Sequence, residues 1–201
     1  MIFFDFDGTI ANVWRRYYEV FVNAGKVSGI AYAEYVDVKR ALCKDDLVAG
    51  HFQVSLAADY YAVKKTLLED PAYLRLDTLL VDGAKLIEFF SSNPCRILTN
   101  RRKPSAFYGQ LENLGLSELV GKSIVLQPED HISKRDYIAA HFGGEKNTVI
   151  GDAASEYEAA QLEDTQVMLV RTGLRDPKDF SPCGNVHMIE DAAQFISSYR
   201  G

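Results

Sequence analysis

From position 82 onward the chain alternates between short apolar runs and amphipathic stretches with few residues between them, and this constrains the fold more than any other feature. Ala84 to Phe90 has helical spacing, Cys95-Arg96-Ile97-Leu98-Thr99 reads as a short buried strand, and Pro104 to Leu114 is helical again, closed at Gly115. Ser123-Ile124-Val125-Leu126 predicts a strand. Lys134 to Phe142 predicts a helix, with Ser133 as its N-cap and Gly143-Gly144 as its stop. Thr148-Val149-Ile150 is a strand, Ser155 to Leu162 a helix, Gln166 to Val170 a strand, and Asp191 to Tyr199 a closing helix. Strands that alternate with helices over short connections form a parallel sheet, because each helix is the crossover between neighbouring strands. The fold class is therefore α/β, with helices on both faces of a parallel sheet.

Such sheets bind ligands outside the carboxyl ends of their strands. Three strands here end in polar residues. The first is Ile2-Phe3-Phe4, which runs into Asp5-Phe6-Asp7-Gly8-Thr9. Asp5 and Asp7 are two apart, so an extended backbone puts both on one face. Two crowded carboxylates need a compensating cation or a shared proton, and divalent magnesium with a phosphate substrate supplies the former. Gly8 allows a sharp turn and close approach to a ligand. The second is Thr99-Asn100, where a hydroxyl and nearby backbone N–H groups can hydrogen-bond phosphoryl oxygens. The third is Gly151-Asp152-Ala153-Ala154-Ser155-Glu156, which places two acids four apart where strand gives way to helix. Alone, such acids would only complement a helix dipole. Beside Asp5 and Asp7 they read as further cation ligands.

Residues 12–81 are helix-rich. Val13, Tyr17, Val20, Phe21 and Ala24 recur at three-to-four spacing, and this helix stops near Gly25. Further helices are expected from Ala33 to Leu42 and from Ser55 to Glu69, the latter ending before Asp70-Pro71. Asp45 to Gly50 reads as a loop or short turn. Trp14, Tyr17, Tyr18 and Phe21 are expected to pack inside this helical segment. The helix after Thr9 leaves close to the strand ends, so Arg15, Arg16 or Tyr17 is expected to reach a substrate.

Composition narrows the class. The chain has 201 residues, 47% hydrophobic and 25% charged, with a net charge of −6 and no Lys/Arg-rich run. Extended nucleic-acid or anionic-membrane binding is not indicated. Cys43, Cys95 and Cys183 are sparse and contain no Cys-x-x-Cys, which fits reduced thiols in a cytoplasmic protein. The apolar run from Ile2, interrupted by Asp5, does not read as a secretory signal, and no apolar run is expected to span a membrane. His51, His131, His141 and His187 show no metal-ligand spacing.

Asp5-Phe6-Asp7-Gly8-Thr9 resembles the nucleophile motif of the haloacid-dehalogenase superfamily, the aspartate-nucleophile phosphatases. Asp7 resembles the phosphatase and phosphomutase branch, since the superfamily's dehalogenases lack an aspartate there and its ion-pumping ATPases carry threonine. Thr99-Asn100 and Asp152 resemble the superfamily's phosphate-binding and acidic motifs, in the same order. The resemblance covers 1–11 and 82–201 as a Rossmann-like catalytic core, and 12–81 resembles the helical cap inserted after the first strand. It implies a magnesium-dependent phosphatase acting on a small phosphorylated metabolite through an aspartyl-phosphate. Asp5 is then the nucleophile, and Asp7 protonates the leaving oxygen and later deprotonates water. Lys134, with Thr99, faces the phosphate, and Gly8, Thr9 and Asn100 lie around it. Lys122, Arg101, Arg102 and Arg135 are rivals to Lys134. Magnesium is implied on Asp5, on the backbone carbonyl of Asp7 and on Asp152. Glu156 stands where the family often has aspartate, so its part as a ligand stays open, and an arginine follows Lys134 where the family often has proline. A phosphomutase and a catalytically silent binding domain share these motifs, and both monomer and homodimer are open.

Overall fold

The computed structural model describes residues 1–175, 180 and 184–200. Cys183 lies outside them. The first strand, β1 (Ile2–Phe4), leads to a two-residue strand β2 (Ala11–Asn12) and then to the helices α1 (Trp14–Gly25), α2 (Tyr32–Leu42), α3 (Asp45–His51), α4 (Tyr60–Leu67) and α5 (Pro71–Leu74). Strand β3 (Thr78–Leu79) returns the chain, pairing antiparallel with β2. The alternating part follows: α6 (Gly83–Ser92), β4 (Cys95–Asn100), α7 (Pro104–Asn113), β5 (Ser123–Leu126), α8 (Lys134–Phe142), β6 (Asn147–Gly151), α9 (Ala154–Ala159), β7 (Thr165–Val170), β8 (Val186–Ile189) and α10 (Ala192–Ser198).

Among the described residues the main sheet has six strands in the order β5-β4-β1-β6-β7-β8. Every pairing in it is parallel, as the alternation predicts. The register sets Phe4 between Ile97 and Ile150. Alternation along the strands divides the core. Ile2, Phe4, Ile97 and Ile150 pack with Leu86, Phe90, Phe107 and Phe195. Phe3, Leu98 and Val149 face the other way, onto Ile138, Val167 and Leu169. Their full burial is worth about 2 kcal/mol per large side chain, which fixes the strands and so the residues just past their ends.

Helices α1 to α4 surround a separate cluster that includes Phe21, Ile30, Tyr35, Val48 and Tyr60. Three expectations change here. Asp45 to Gly50 is helical rather than a loop. The buried Asp45 carboxylate accepts from Lys39 Nζ at 2.8 Å and also meets Lys64, and that tertiary pairing holds the short helix in place. The helix expected from Ser55 begins only at Tyr60. Of the aromatics, Phe21 is buried in this cluster and Tyr18 packs against it, but the Trp14 indole points to the sheet unit and donates to the Thr172 carbonyl at 3.4 Å. No helix among the described residues is long and apolar enough to cross a membrane.

Candidate active site

Strands β4, β1 and β6 are neighbours, so Thr99, Asp5 and Asp152 emerge side by side. They line one cavity of about 230 Å³. Asp7, Tyr17, Asn100, Lys134, Ser155 and Arg175 also line it. Larger clefts lie between α6 and α10 and at the amino ends of β6 and β7, but they hold no comparable cluster of acids around a buried lysine.

Asp5 is anchored by its backbone, whose N–H donates to the Ile150 carbonyl at 2.8 Å. Its Oδ1 accepts from Lys134 Nζ at 2.6 Å, and the same ammonium donates to Glu156 Oε1 at 2.5 Å. Lys134 is placed by the start of α8, where Ser133 Oγ accepts from the Asp136 N–H at 3.0 Å as the sequence predicts. Glu156 is fully buried and also accepts from the Ala153 N–H at 3.0 Å and Ser155 Oγ at 2.9 Å. Asp152 Oδ2 accepts from the Leu174 N–H at 2.7 Å.

Carboxylate oxygens of Asp5, Asp152 and Glu156 lie within 4.8 Å of one another. Three buried acids facing one ammonium leave the cluster short of positive charge. Burial pushes Asp5 up to about 6, although Lys134 pulls it down. Burial, then Asp5 and Glu156, push Asp152 well above the usual carboxylate range. Burial opposes charge on Lys134, but Asp5 and Glu156 outweigh it and raise its pKa. An oxygen-only donor set with unbalanced negative charge suits a hard divalent cation. This donor set takes in Glu156 and not the Asp7 side chain.

Asp7 faces two guanidinium groups instead. Its Oδ2 accepts from Arg16 Nη2 at 2.7 Å, and its Oδ1 accepts from Arg101 Nη2. Burial raises its pKa, but Arg101 and Arg16 together hold it below the usual range. Arg101, a rival to Lys134 by sequence, is therefore engaged at Asp7. Arg135 pairs with Asp136 and Gln161, Lys122 contacts the Phe90 carbonyl, and Arg102 is exposed.

Gly8 and Thr9 do not line the cavity. Gly8 has φ +76°, its N–H donates to the Ala11 carbonyl at 2.8 Å, and a Cβ there would sit 2.6 Å from Asp152 Oδ2. The Thr9 hydroxyl is buried without a partner. Three contributors escaped sequence reasoning. Gly173 packs so closely on Asp152 that any Cβ would overlap it. The Leu174 N–H holds the same carboxylate, and Arg175 lines the cavity. A glycine just past the carboxyl end of a strand, here β7, was the available signal.

No protein-family model matches the chain, and no curated protein matches its sequence. Solved structures do. A haloacid-dehalogenase-like family hydrolase from Streptococcus pneumoniae superposes with a TM-score of 0.64 at 17% identity, over 99% of this chain and 97% of its own. A predicted phosphoglycolate phosphatase from Haemophilus somnus gives 0.62 at 16%, over 98% and 96%. A HAD family hydrolase from Deinococcus radiodurans, with bound phosphate and sodium, gives 0.58 at 19%, over 84% and 79%. Each is similar to this chain in fold.

Proposed function

We propose that this chain, which has the fold of the haloacid-dehalogenase-like hydrolases, is a magnesium-dependent phosphatase of small phosphomonoesters that works through an aspartyl-phosphate. The observation that carries this reading is the buried Lys134 joined to Asp5 and Glu156 at the end of the central strand, with Asp152 alongside.

Asp5 is the nucleophile. Its carboxylate oxygen forms a bond to phosphorus as the bond from phosphorus to the ester oxygen breaks. Asp7 delivers a proton to the departing oxygen. In the free protein Asp7 is ionised between its arginines, so it takes up that proton when the anionic phosphate arrives and raises its proton affinity. Water then attacks phosphorus, Asp7 accepts its proton, and the Asp5 carboxylate is released with inorganic phosphate. Lys134 and the Thr99 hydroxyl complement the phosphoryl oxygens, and such positioning is most of catalysis in phosphoryl transfer. Asp5, Asp152 and Glu156 would hold magnesium, which when bound screens the repulsion between carboxylate and phosphate.

Residues 12–81 act in this reading as a cap over the core formed by 1–11 and 82–201. Tyr17 is the cap residue that lines the cavity. Arg16 is occupied by Asp7 and Asp77, and Arg15 pairs with Glu19 at 2.6 Å on the surface. The leaving group therefore meets Tyr17. The cavity of about 230 Å³ fits a small metabolite phosphate.

The test is phosphate release from p-nitrophenyl phosphate with and without magnesium, in the wild type and in Asp5→Asn. Magnesium-dependent turnover lost in the variant supports the reading. No turnover, together with no beryllium fluoride adduct at Asp5, overturns it in favour of a silent binding domain.

A further inference from the structure

Asp7 belongs to a closed circuit of five polar side chains. Arg16 Nη2 donates to Asp7 at 2.7 Å, and Arg16 Nε donates to Asp77 Oδ1 at 3.2 Å. Gln110 Nε2 donates to Asp77 Oδ2 at 2.6 Å. Arg101 Nη2 donates to Gln110 Oε1 at 3.3 Å and closes the circuit on Asp7. Arg16, Asp77, Arg101 and Gln110 are all buried. Of the five, Asp7 alone lines the cavity. With Asp77 ionised, two carboxylates, two guanidiniums and one amide leave the circuit neutral, and the buried Arg101 Nε stays without a partner.

Its parts come from five places in the chain. Asp7 follows β1, Arg101 follows β4, and Gln110 is on α7. Arg16 lies in the first turn of α1, and Asp77 lies between α5 and β3. Each guanidinium has further supports that fix it. Arg16 donates to the Leu68 carbonyl at 2.8 Å, and Arg101 lies over the Phe6 and Phe107 rings at 5.9 and 5.4 Å. A carboxylate on a turn would sample several rotamers. Donors on opposite sides, themselves immobilised, leave it one.

We infer that this circuit is the positioning device for Asp7. Arg16 and Arg101 set the orientation of its carboxylate, and Asp77 and Gln110 act through them. The inference rests on the phosphatase reading, in which Asp7 serves the leaving oxygen.

Gln110 makes the circuit directional, since its amide nitrogen meets an acceptor and its amide oxygen meets a donor. In Asp77→Asn, an amide that still accepts from Arg16 presents N–H₂ to Gln110. Gln110 must then turn its oxygen that way, which sets its own N–H₂ against Arg101. Adding Gln110→Glu removes that clash, because the carboxylate accepts from both sides. The double variant keeps the net charge and size of the wild type, and neither position touches the cavity.

The experiment compares the wild type, D77N and D77N/Q110E at about pH 8, above the raised pKa of Asp77, by kcat/KM on p-nitrophenyl phosphate and on an alkyl phosphate, alongside thermal unfolding. kcat/KM ends at transfer to Asp5, where an alkoxide needs a proton and nitrophenolate does not. D77N is expected to lose about tenfold or more on the alkyl ester and about threefold or less on the aryl ester. The double variant is expected to restore both to within about threefold, and to restore the melting temperature. Equal losses on both esters, no loss in D77N, or a restored melting temperature without the restored alkyl-to-aryl ratio would make the circuit a structural staple and overturn the inference. So would a wild type that turns over the aryl ester but no alkyl ester. A wild type with neither magnesium-dependent turnover nor a beryllium fluoride adduct overturns the phosphatase reading itself, and recovery of the melting temperature then shows that the circuit serves the fold alone.

Discussion

Lys134 donates to Glu156 at 2.5 Å, and both side chains are buried. With Asp5 on its other side, this ammonium is the sole cation in direct contact with a cluster of three acids among the described residues. Lys134→Met would leave those carboxylates uncompensated. Breaking a buried pair from one side costs about 3–5 kcal/mol, so the metal-free variant is expected to lose at least about 3 kcal/mol in urea denaturation. Magnesium is expected to restore part of that loss, more than it adds to the wild type. A variant as stable as the wild type without metal would show that the cluster is already neutralised by protons.

The pH dependence carries a definite sign. Burial raises Asp5 to about 6 in the metal-free fold, against an unfolded value near 4. The folded state thus binds more protons in that window, so the Asp5 contribution to stability is full below about pH 4 and is lost as pH rises through about 6. Asp77, raised by burial to about 7, extends the fall. Urea midpoints without metal are expected to decline from pH 4 to 7. Asp5→Asn is expected to remove the part centred below 6. Magnesium is expected to abolish that same part in the wild type, because the cation binds the anionic form. A metal-free midpoint that climbs over this range contradicts the assignment.

Much of this was legible in the sequence because it depends on local order. Asp5, Thr99 and Asp152 sit at strand ends that periodicity alone locates, and a parallel sheet brings neighbouring strand ends together. Ser133 at the start of α8 announced where Lys134 would stand. Partners across the fold were not legible. Arg16 and Arg101 meet Asp7 from positions 9 and 94 residues away, and no local pattern marks which of many arginines turns inward. Asp45 was hidden for the same reason: its two lysine partners, not its neighbours in sequence, hold α3 together.

Gly173 gives a prediction that rests on the proposed magnesium site and on no other role. It is buried against Asp152, where a methyl group would overlap the carboxylate. Gly173→Ala must push Asp152 away from the Leu174 N–H, to which it is bonded at 2.7 Å. Overpacking of this kind costs about 1–3 kcal/mol. Magnesium affinity, read by calorimetry, is expected to fall at least about tenfold, since a lost contact of about 1.4 kcal/mol is a factor of ten. Unchanged affinity in a folded variant would place the cation away from Asp152.

Tyr17 supplies the last prediction. Its ring lies beside Arg16 at 5.6 Å, and its side chain lines the cavity from α1. Burial and the nearby Asp7 raise the phenol's pKa, so it stays neutral and can donate a hydrogen bond to a leaving group. Tyr17→Phe removes that donor and keeps the ring. One neutral hydrogen bond is worth about 0.5–1.5 kcal/mol, so kcat/KM is expected to fall about threefold to tenfold on substrates whose leaving group bears an acceptor, and to hold on those without one. Tyr17→Ala opens the cavity and is expected to change the order of preference across a panel of phosphorylated metabolites. Arg15→Ala, at an exposed pair outside the cavity, is expected to leave that order intact. If Tyr17→Ala scales every substrate by one factor, the leaving group does not touch Tyr17, and selectivity must come from the core side of the cavity, where Asn100, Ser155 and Arg175 stand.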